Sequence, residues 1–231
     1  MDLDTIRQHL QTEPRTRIVA FGSSNTDRRI HGLHWFDWLD LGIKHTFGRV
    51  HHFINTGIGG DTTRGLLARF DEDVARYQPH AVLVTIGGND SNPDAGIDAA
   101  TYRANLLTLC ERIRSLDAIP ILQTYYAADV EELGPVQGPR FLEYMQIVRD
   151  VATEADTPLV DHHRRWEPLR LQHPELYQTL MLDALHVNAL GNMVIGMDLV
   201  RAFGVRLDAV TRAYCVRGLW YQTVLDVLES M

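Results

Sequence analysis

Cysteine is scarce: Cys110 and Cys215 are the only two in 231 residues, too few for a disulfide framework. Both lie in helix-like apolar stretches and read as reduced core thiols. Positive charge is also short, with 22 Lys and Arg against 30 Asp and Glu, a net charge of −8. Such a surface repels phosphate backbones and anionic lipid, which argues against nucleic acid and membrane as partners. No apolar run reaches the roughly 18 residues of a membrane span. The opening MDLDTIRQHLQTEPRTR has no apolar core of the kind a secretory signal needs, so the expected location is cytoplasmic. Repeats, low-complexity tracts and Ser/Gly/Pro-rich linkers are absent, and residues 1–231 read as a single domain. A chain of this length buries about 70% of its unfolded surface and needs no disulfide or metal for stability.

What is present is an alternation of short β-branched runs with longer helical patterns. Candidate strands are Arg17–Phe21, Val50–Asn55, Ala81–Ile86, Ile119–Thr124 and Thr157–Asp161. Between them apolar residues recur three and four apart, as in Trp35, Trp38 and Leu39, then Leu66, Leu67, Phe70 and Val74. The same spacing runs through Tyr102, Leu106, Leu109, Ile113 and Leu116, and through Phe141, Tyr144, Ile147 and Val151. Strand alternating with helix predicts a three-layer α/β/α sandwich around a mostly parallel five-stranded sheet. Ligands in such folds bind at the carboxyl ends of strands, so the residues just beyond each strand matter most.

Those exits read Gly22-Ser23-Ser24-Asn25-Thr26, then Asn55-Thr56-Gly57-Ile58-Gly59-Gly60-Asp61-Thr62, then Gly87-Gly88-Asn89-Asp90. Late in the chain stands Asp183-Ala184-Leu185-His186-Val187-Asn188. Taken singly, each is an ordinary turn or helix cap. Together they hold what acyl transfer needs: a hydroxyl nucleophile, a base, a carboxylate to orient it, and donors for an oxyanion. The three-residue separation of Asp183 and His186 lets them meet within one turn, while the other ring nitrogen faces Ser24.

The set resembles the SGNH (GDSL) hydrolases, named for Ser, Gly, Asn and His in four separate blocks. Gly22-Ser23-Ser24 is similar to their GDS block, Asn55 to Asp61 to N-x-G-x-x-G-D, Gly87 to Asp90 to G-x-N-D, and Asp183 to His186 to D-x-x-H. The resemblance implies a flavodoxin-like fold and a serine esterase acting through an acyl-enzyme. It makes Ser24, His186 and Asp183 the triad, and Ser24, Gly60 and Asn89 the oxyanion hole. No cofactor or metal is required. Two departures stand out: Ser23 replaces the acidic residue of GDS, and Asn25 replaces the usual apolar residue after the nucleophile. The string GSSN is also similar to the GQSN block of certain SGNH carbohydrate esterases. The same machinery serves lipases, thioesterases and acyltransferases, and a degraded site would leave an inactive binding module.

The remaining signals are weaker. His31/His34, His51/His52 and Asp161/His162/His163 have metal-ligand spacings, but no glutamate base or cysteine cluster accompanies them, and no metal site is expected. Tyr125, Tyr126 and the loop Asp129–Arg140 follow the fourth strand and are candidates for the pocket wall. Trp35 and Trp38 read as core and Trp166 as a rim contact in an irregular polar stretch. Asn188 is expected to cap a helix from Ala189 to about Phe203, with Gly191 packed closely. Residues 205–231 are expected to form a helical extension, packed either on its own domain or against a second copy of the chain. The loops GGDTTRG, GGNDSNPDAG and YYAADVEELGPVQGPR are small, polar or acidic. They predict a small-molecule substrate with a short, acetyl-like acyl group on a polar, sugar-like alcohol, and they disfavour acyl-CoA.

Overall fold

Along β1 (Arg17–Gly22), Ile18 and Ala20 face one side of the sheet and Val19 and Phe21 the other, and all four are fully buried. A strand with period two and two buried faces belongs to a parallel sheet covered on both sides. The computed structural model, which describes residues 3–13, 15–29, 32–205, 224, 226–228 and 230, contains that sheet. β2 (His52–Asn55), β3 (Ala81–Thr85), β4 (Ile119–Gln123) and β5 (Leu159–Val160) join β1 in the order β2-β1-β3-β4-β5, every pair parallel.

One face carries α1 (Asp4–Thr12), α2 (Trp35–Phe47), α7 (His162–Gln172), α8 (Pro174–Gln178) and α9 (Ala189–Ala202). The other carries α3 (Thr63–Ala68), α4 (Phe70–Asp73), α5 (Ala99–Arg114) and α6 (Gly134–Glu154). The fold is therefore the expected three-layer α/β/α sandwich. Because β1 lies between β2 and β3, successive crossovers leave it in opposite directions. This reversal opens a crevice at the carboxyl ends of β1 and β3.

Several boundaries differ from the sequence reading. β2 starts at His52, which pairs with Arg17, and Val50 before it is exposed. The fifth strand shrinks to Leu159–Val160 because Thr157 N–H donates to Ala152 O at the end of α6, and Asp161 caps α7 through Arg164 N–H. The stripe from Leu66 to Val74 breaks at Arg69 into α3 and α4. Trp166 is no rim residue: it sits within α7, fully buried, its ring 5.3 Å from that of Tyr126. Much of the expected loop Asp129–Arg140 is the first turns of α6. Trp35 and Trp38 are core residues, and α9 follows an Asn188 cap whose Oδ1 accepts from Leu190 and Gly191 N–H. Cys110 is buried, which pushes its thiol up to about 11. Cys215, His31 and most of the extension 205–231, with its inferred contact to a second copy, lie outside the described residues. Val224 and Leu228 are buried with the α1, α2 and α9 layer.

Candidate active site

The turn after β1 closes on one carbonyl: Thr26 and Asp27 N–H both donate to Ser23 O at 2.9 Å. Ser23 itself is fully buried, with its Oγ 3.0 Å from the Tyr125 hydroxyl. Two neutral hydroxyls satisfy each other there, whereas an acidic side chain would bring a charge into the same dry space. Ser24 sits at the turn's crest, 9% exposed.

The partner loop owes its shape to Asp183. One carboxylate oxygen accepts from Leu185 N–H at 2.9 Å and from His186 N–H at 2.8 Å, the local turn that aspartate favours. The chain then doubles back, with Leu182 N–H on His186 O at 2.8 Å. His186 Nδ1 ends 2.9 Å from both Asp183 oxygens, and His186 Nε2 ends 2.8 Å from Ser24 Oγ. An ionised carboxylate only accepts, so Nδ1 carries the proton and the Nε2 lone pair faces the serine. Burial alone would push the Asp183 carboxyl up. The Leu185 N–H, the imidazole and the His186 N–H outweigh it and hold the group below its ordinary value.

Opposite this chain, the exit of β2 meets the Ser24 turn and the exit of β3 joins it. Asn55 Nδ2 donates to Thr26 O at 2.7 Å, and Ile58 N–H to Gly22 O at 3.1 Å. Gly60 has φ +83°, a left-handed conformation that a side chain would strain. The turn's closing bond runs from Asp61 N–H to Ile58 O, leaving the Gly60 N–H out of it. Asn89 Nδ2 donates to Asp61 O at 2.8 Å, which joins the exits of β2 and β3 and uses one of two amide protons.

Sequence reasoning missed the residues that brace this corner. Arg69 donates to Gly22 O, Thr56 O and the Asp61 carboxylate, and its guanidinium lies 4.6 Å from the Phe21 ring centroid. Asp90 is fully buried and accepts from Thr63 N–H and Oγ1 at 2.8 and 2.5 Å. Burial raises its carboxyl above the usual range against those two bonds. Nothing near Arg69 in the chain marks it, since these partners come from the exits of β1 and β2. Asp90 stood inside the third block but read there only as a turn residue.

A cavity of about 200 Å³ opens beside Ser24 and His186, walled by Asp27, Arg29, Leu182 and Asn192. Tyr125 and Tyr126 do not line it. They are 1% and 3% exposed and lie behind the Ser24 turn, where the Tyr126 hydroxyl donates to Asn25 Oδ1 at 2.7 Å. The apolar layers on either side of the sheet absorb their rings, Tyr126 on one and Tyr125 on the other. Among the described residues no group of three or more His, Cys, Asp or Glu is placed to hold a metal ion. His162 and His163 are buried, Asp161 pairs with Arg149 at 2.8 Å, and His51 accepts from Thr16 N–H. No helix of the described residues is long and apolar enough to cross a membrane.

Comparison with known proteins adds to this geometry. Residues 20–194 match the model of the GDSL-like lipase/acylhydrolase family. An acetylxylan esterase from Geobacillus stearothermophilus is 28% identical over 196 residues, covering 80% of this chain and 84% of that protein. The uncharacterized lipoprotein YqeF of Bacillus subtilis is 30% identical over 181 residues, 64% of this chain and 71% of that one. A crystal structure of acetylxylan esterase from Geobacillus stearothermophilus matches with a TM-score of 0.71 at 23% identity, over 83% of this chain and 95% of that chain. At that identity the likeness speaks to the fold.

Proposed function

Because this chain belongs to the GDSL-like lipase/acylhydrolase family and is a carboxylic ester hydrolase, we propose that Ser24, His186 and Asp183 are its catalytic triad. The observation that carries this reading is the unbroken hydrogen-bonded chain from Ser24 Oγ through the His186 ring to Asp183, at 2.8 and 2.9 Å. Ser24 Oγ attacks the ester carbonyl as His186 Nε2 takes its proton. Asp183 holds the ring in the Nδ1–H tautomer and stabilises the imidazolium. The N–H groups of Ser24 and Gly60 and the amide of Asn89 receive the oxyanion. His186 then protonates the leaving alcohol, and water attacks the acyl-enzyme with His186 again as base. This sequence of steps calls on no cofactor.

The substrate in this proposal is a short acyl ester, acetyl above all, of a polar, carbohydrate-like alcohol. The cavity of about 200 Å³ is smaller than the ~300–1,000 Å³ of sites for drug-sized ligands. Asp27, Arg29 and Asn192 put polar groups on its walls beside an apolar surface that includes Leu182 and Val187. A groove for longer chains would reward each buried methylene with about 0.8 kcal/mol, but a cavity of about 200 Å³ leaves little length for such a chain. The acetylxylan esterase relative points the same way. The test combines fluorophosphonate labelling with p-nitrophenyl esters from C2 to C8 and acetylated xylo-oligosaccharides. The reagent is expected to label wild type and not Ser24→Ala, with turnover highest on acetyl esters. An unlabelled wild type would overturn the nucleophile, and faster C8 than C2 hydrolysis would move the enzyme to the lipase or thioesterase branch.

A further inference from the structure

We infer that Asn25 is a positioning residue, whose side-chain amide fastens the loop bearing Asp183 and His186 onto the nucleophile turn. The inference rests on the reading of Ser24 and His186 as nucleophile and base.

Asn25 is 9% exposed and follows Ser24 directly. Its Nδ2 donates to Leu185 O at 3.1 Å, and its Oδ1 accepts from the Tyr126 hydroxyl at 2.7 Å. The orientation of the amide follows from chemistry, because a carbonyl only accepts and so must face the NH₂ end. The Tyr126 hydroxyl also reaches Leu185 O, which closes a triangle of Asn25, Tyr126 and Leu185. Leu185 is the residue before His186. The bridge thus joins the immediate neighbours of both reacting side chains.

The backbone of Asn25 is fastened as firmly. Its carbonyl accepts from Trp35 Nε1 at 2.7 Å and from His34 Nε2 at 3.1 Å, both at the start of α2. Trp35 N–H in turn donates to Asn192 Oδ1 in α9 at 3.1 Å. The Asp–His loop has other anchors, but they run elsewhere: Asp129 N–H donates to Ala184 O, and Met181 bridges Val187. Among the described residues, the side-chain bonds from the nucleophile turn to this loop come from Ser24 and Asn25. The Ser24–His186 contact spans 162 positions of chain. A displacement of 1 Å between such groups can cost about 10² in rate. An apolar residue at this position would leave the Leu185 carbonyl to Tyr126 alone.

The experiment compares Asn25→Leu, Asn25→Asp and Tyr126→Phe with wild type, using kcat per fluorophosphonate-titrated site, KM and the pH profile of kcat/KM. Both Asn25 variants are expected to lose about 10- to 100-fold in kcat with little change in KM. In Asn25→Asp the acidic limb of the profile is expected to move to higher pH, since a new carboxylate beside the loop favours the imidazolium; in Asn25→Leu it stays in place. Tyr126→Phe should lose less, and Asn25→Leu/Tyr126→Phe should lose more than Asn25→Leu, because it strips the Leu185 carbonyl of both side-chain donors. Unchanged kcat per titrated site in Asn25→Leu, or a loss carried wholly by KM, would overturn the inference. If neither Asn25 variant folds, Tyr126→Phe decides: a lower kcat at constant KM supports the bridge, and wild-type kcat overturns it. Turnover retained by Ser24→Ala would remove the nucleophile assignment and the bridge with it. A Ser24-dependent enzyme indifferent to Asn25→Leu would remove the bridge alone.

Discussion

Asn89 works with a single amide group in two directions. One proton goes to Asp61 O at 2.8 Å and fixes the amide; the other is left for a ligand oxygen. In the proposed mechanism a donor held this way needs no reorganisation as charge develops, and its contribution falls mainly in the transition state. Asn89→Ala is therefore expected to lower kcat by roughly 10²–10³ with a smaller change in KM. Steady-state kinetics on an acetyl ester checks this, and a raised KM at constant kcat would make Asn89 a ground-state contact instead. Ser23 shows the same economy of charge. Paired with Tyr125, it keeps the underside of the Ser24 turn neutral, so the carboxylate beside the His186 ring is that of Asp183.

Between elements, the packing of α2 against α9 supports both halves of the site. α2 begins with His34 and Trp35, which hold the Asn25 carbonyl, and α9 begins just past His186. The helices meet at Gly196, where an added Cβ would stand 2.4 Å from Trp38 Cβ and 2.8 Å from Trp35 O. Intrinsic propensity favours alanine over glycine inside a helix by about 1 kcal/mol. The clash opposes it, and its nearest atoms are the base of a side chain and a backbone oxygen, which yield little. Gly196→Ala is accordingly expected to destabilise by about 1–3 kcal/mol, seen as a fall of about 2–4 °C in Tm per kcal/mol. A rise in Tm would show that the helices part easily and that propensity wins.

For the whole molecule, buried histidines contribute a response to acid, His34 and His162 among them. Burial lowers His34 from 6.5 to about 4, and burial with Arg165 alongside lowers His162 from 6.5 to about 3. Each is neutral in the native state. His34 accepts Phe36 N–H on Nδ1 as the cap of α2, and His162 Nε2 lies 3.1 Å from Gln123 Oε1. Between those depressed values and 6.5 the unfolded chain binds more protons than the folded one. Stability therefore rises with pH through this window, is complete above it, and is lost as pH falls toward 4 and 3. Asp90, raised by burial, acts in the opposite sense. Thermal unfolding from pH 7 down to pH 4 is expected to show a falling Tm. In His34→Asn, where asparagine can still cap α2, the fall should be shallower. Equal slopes in the two proteins would remove His34 as a source.

The chain alone determined what local order can encode. Alternating apolar residues in RIVAF and AVLVTI specify strands buried on both faces, and the Gly, Ser and Asn that end them mark where the backbone turns. Asp183 and His186 are three apart, and Asn188 precedes an apolar helix, so that pair and that cap follow from spacing. Tertiary structure decided everything that depends on who lies across the sheet. The order β2-β1-β3-β4-β5 brings the exits of β1, β2 and β3 to one edge, and the packing of α2 on α9 carries His186 to Ser24. It also turned Tyr125, Tyr126 and Trp166 inward, because a large ring goes wherever two layers leave apolar space between them. It made Arg69 and Asn25 the joints between segments far apart in the chain. No window of sequence contains both partners of such a bond, so only the folded chain could bring them together.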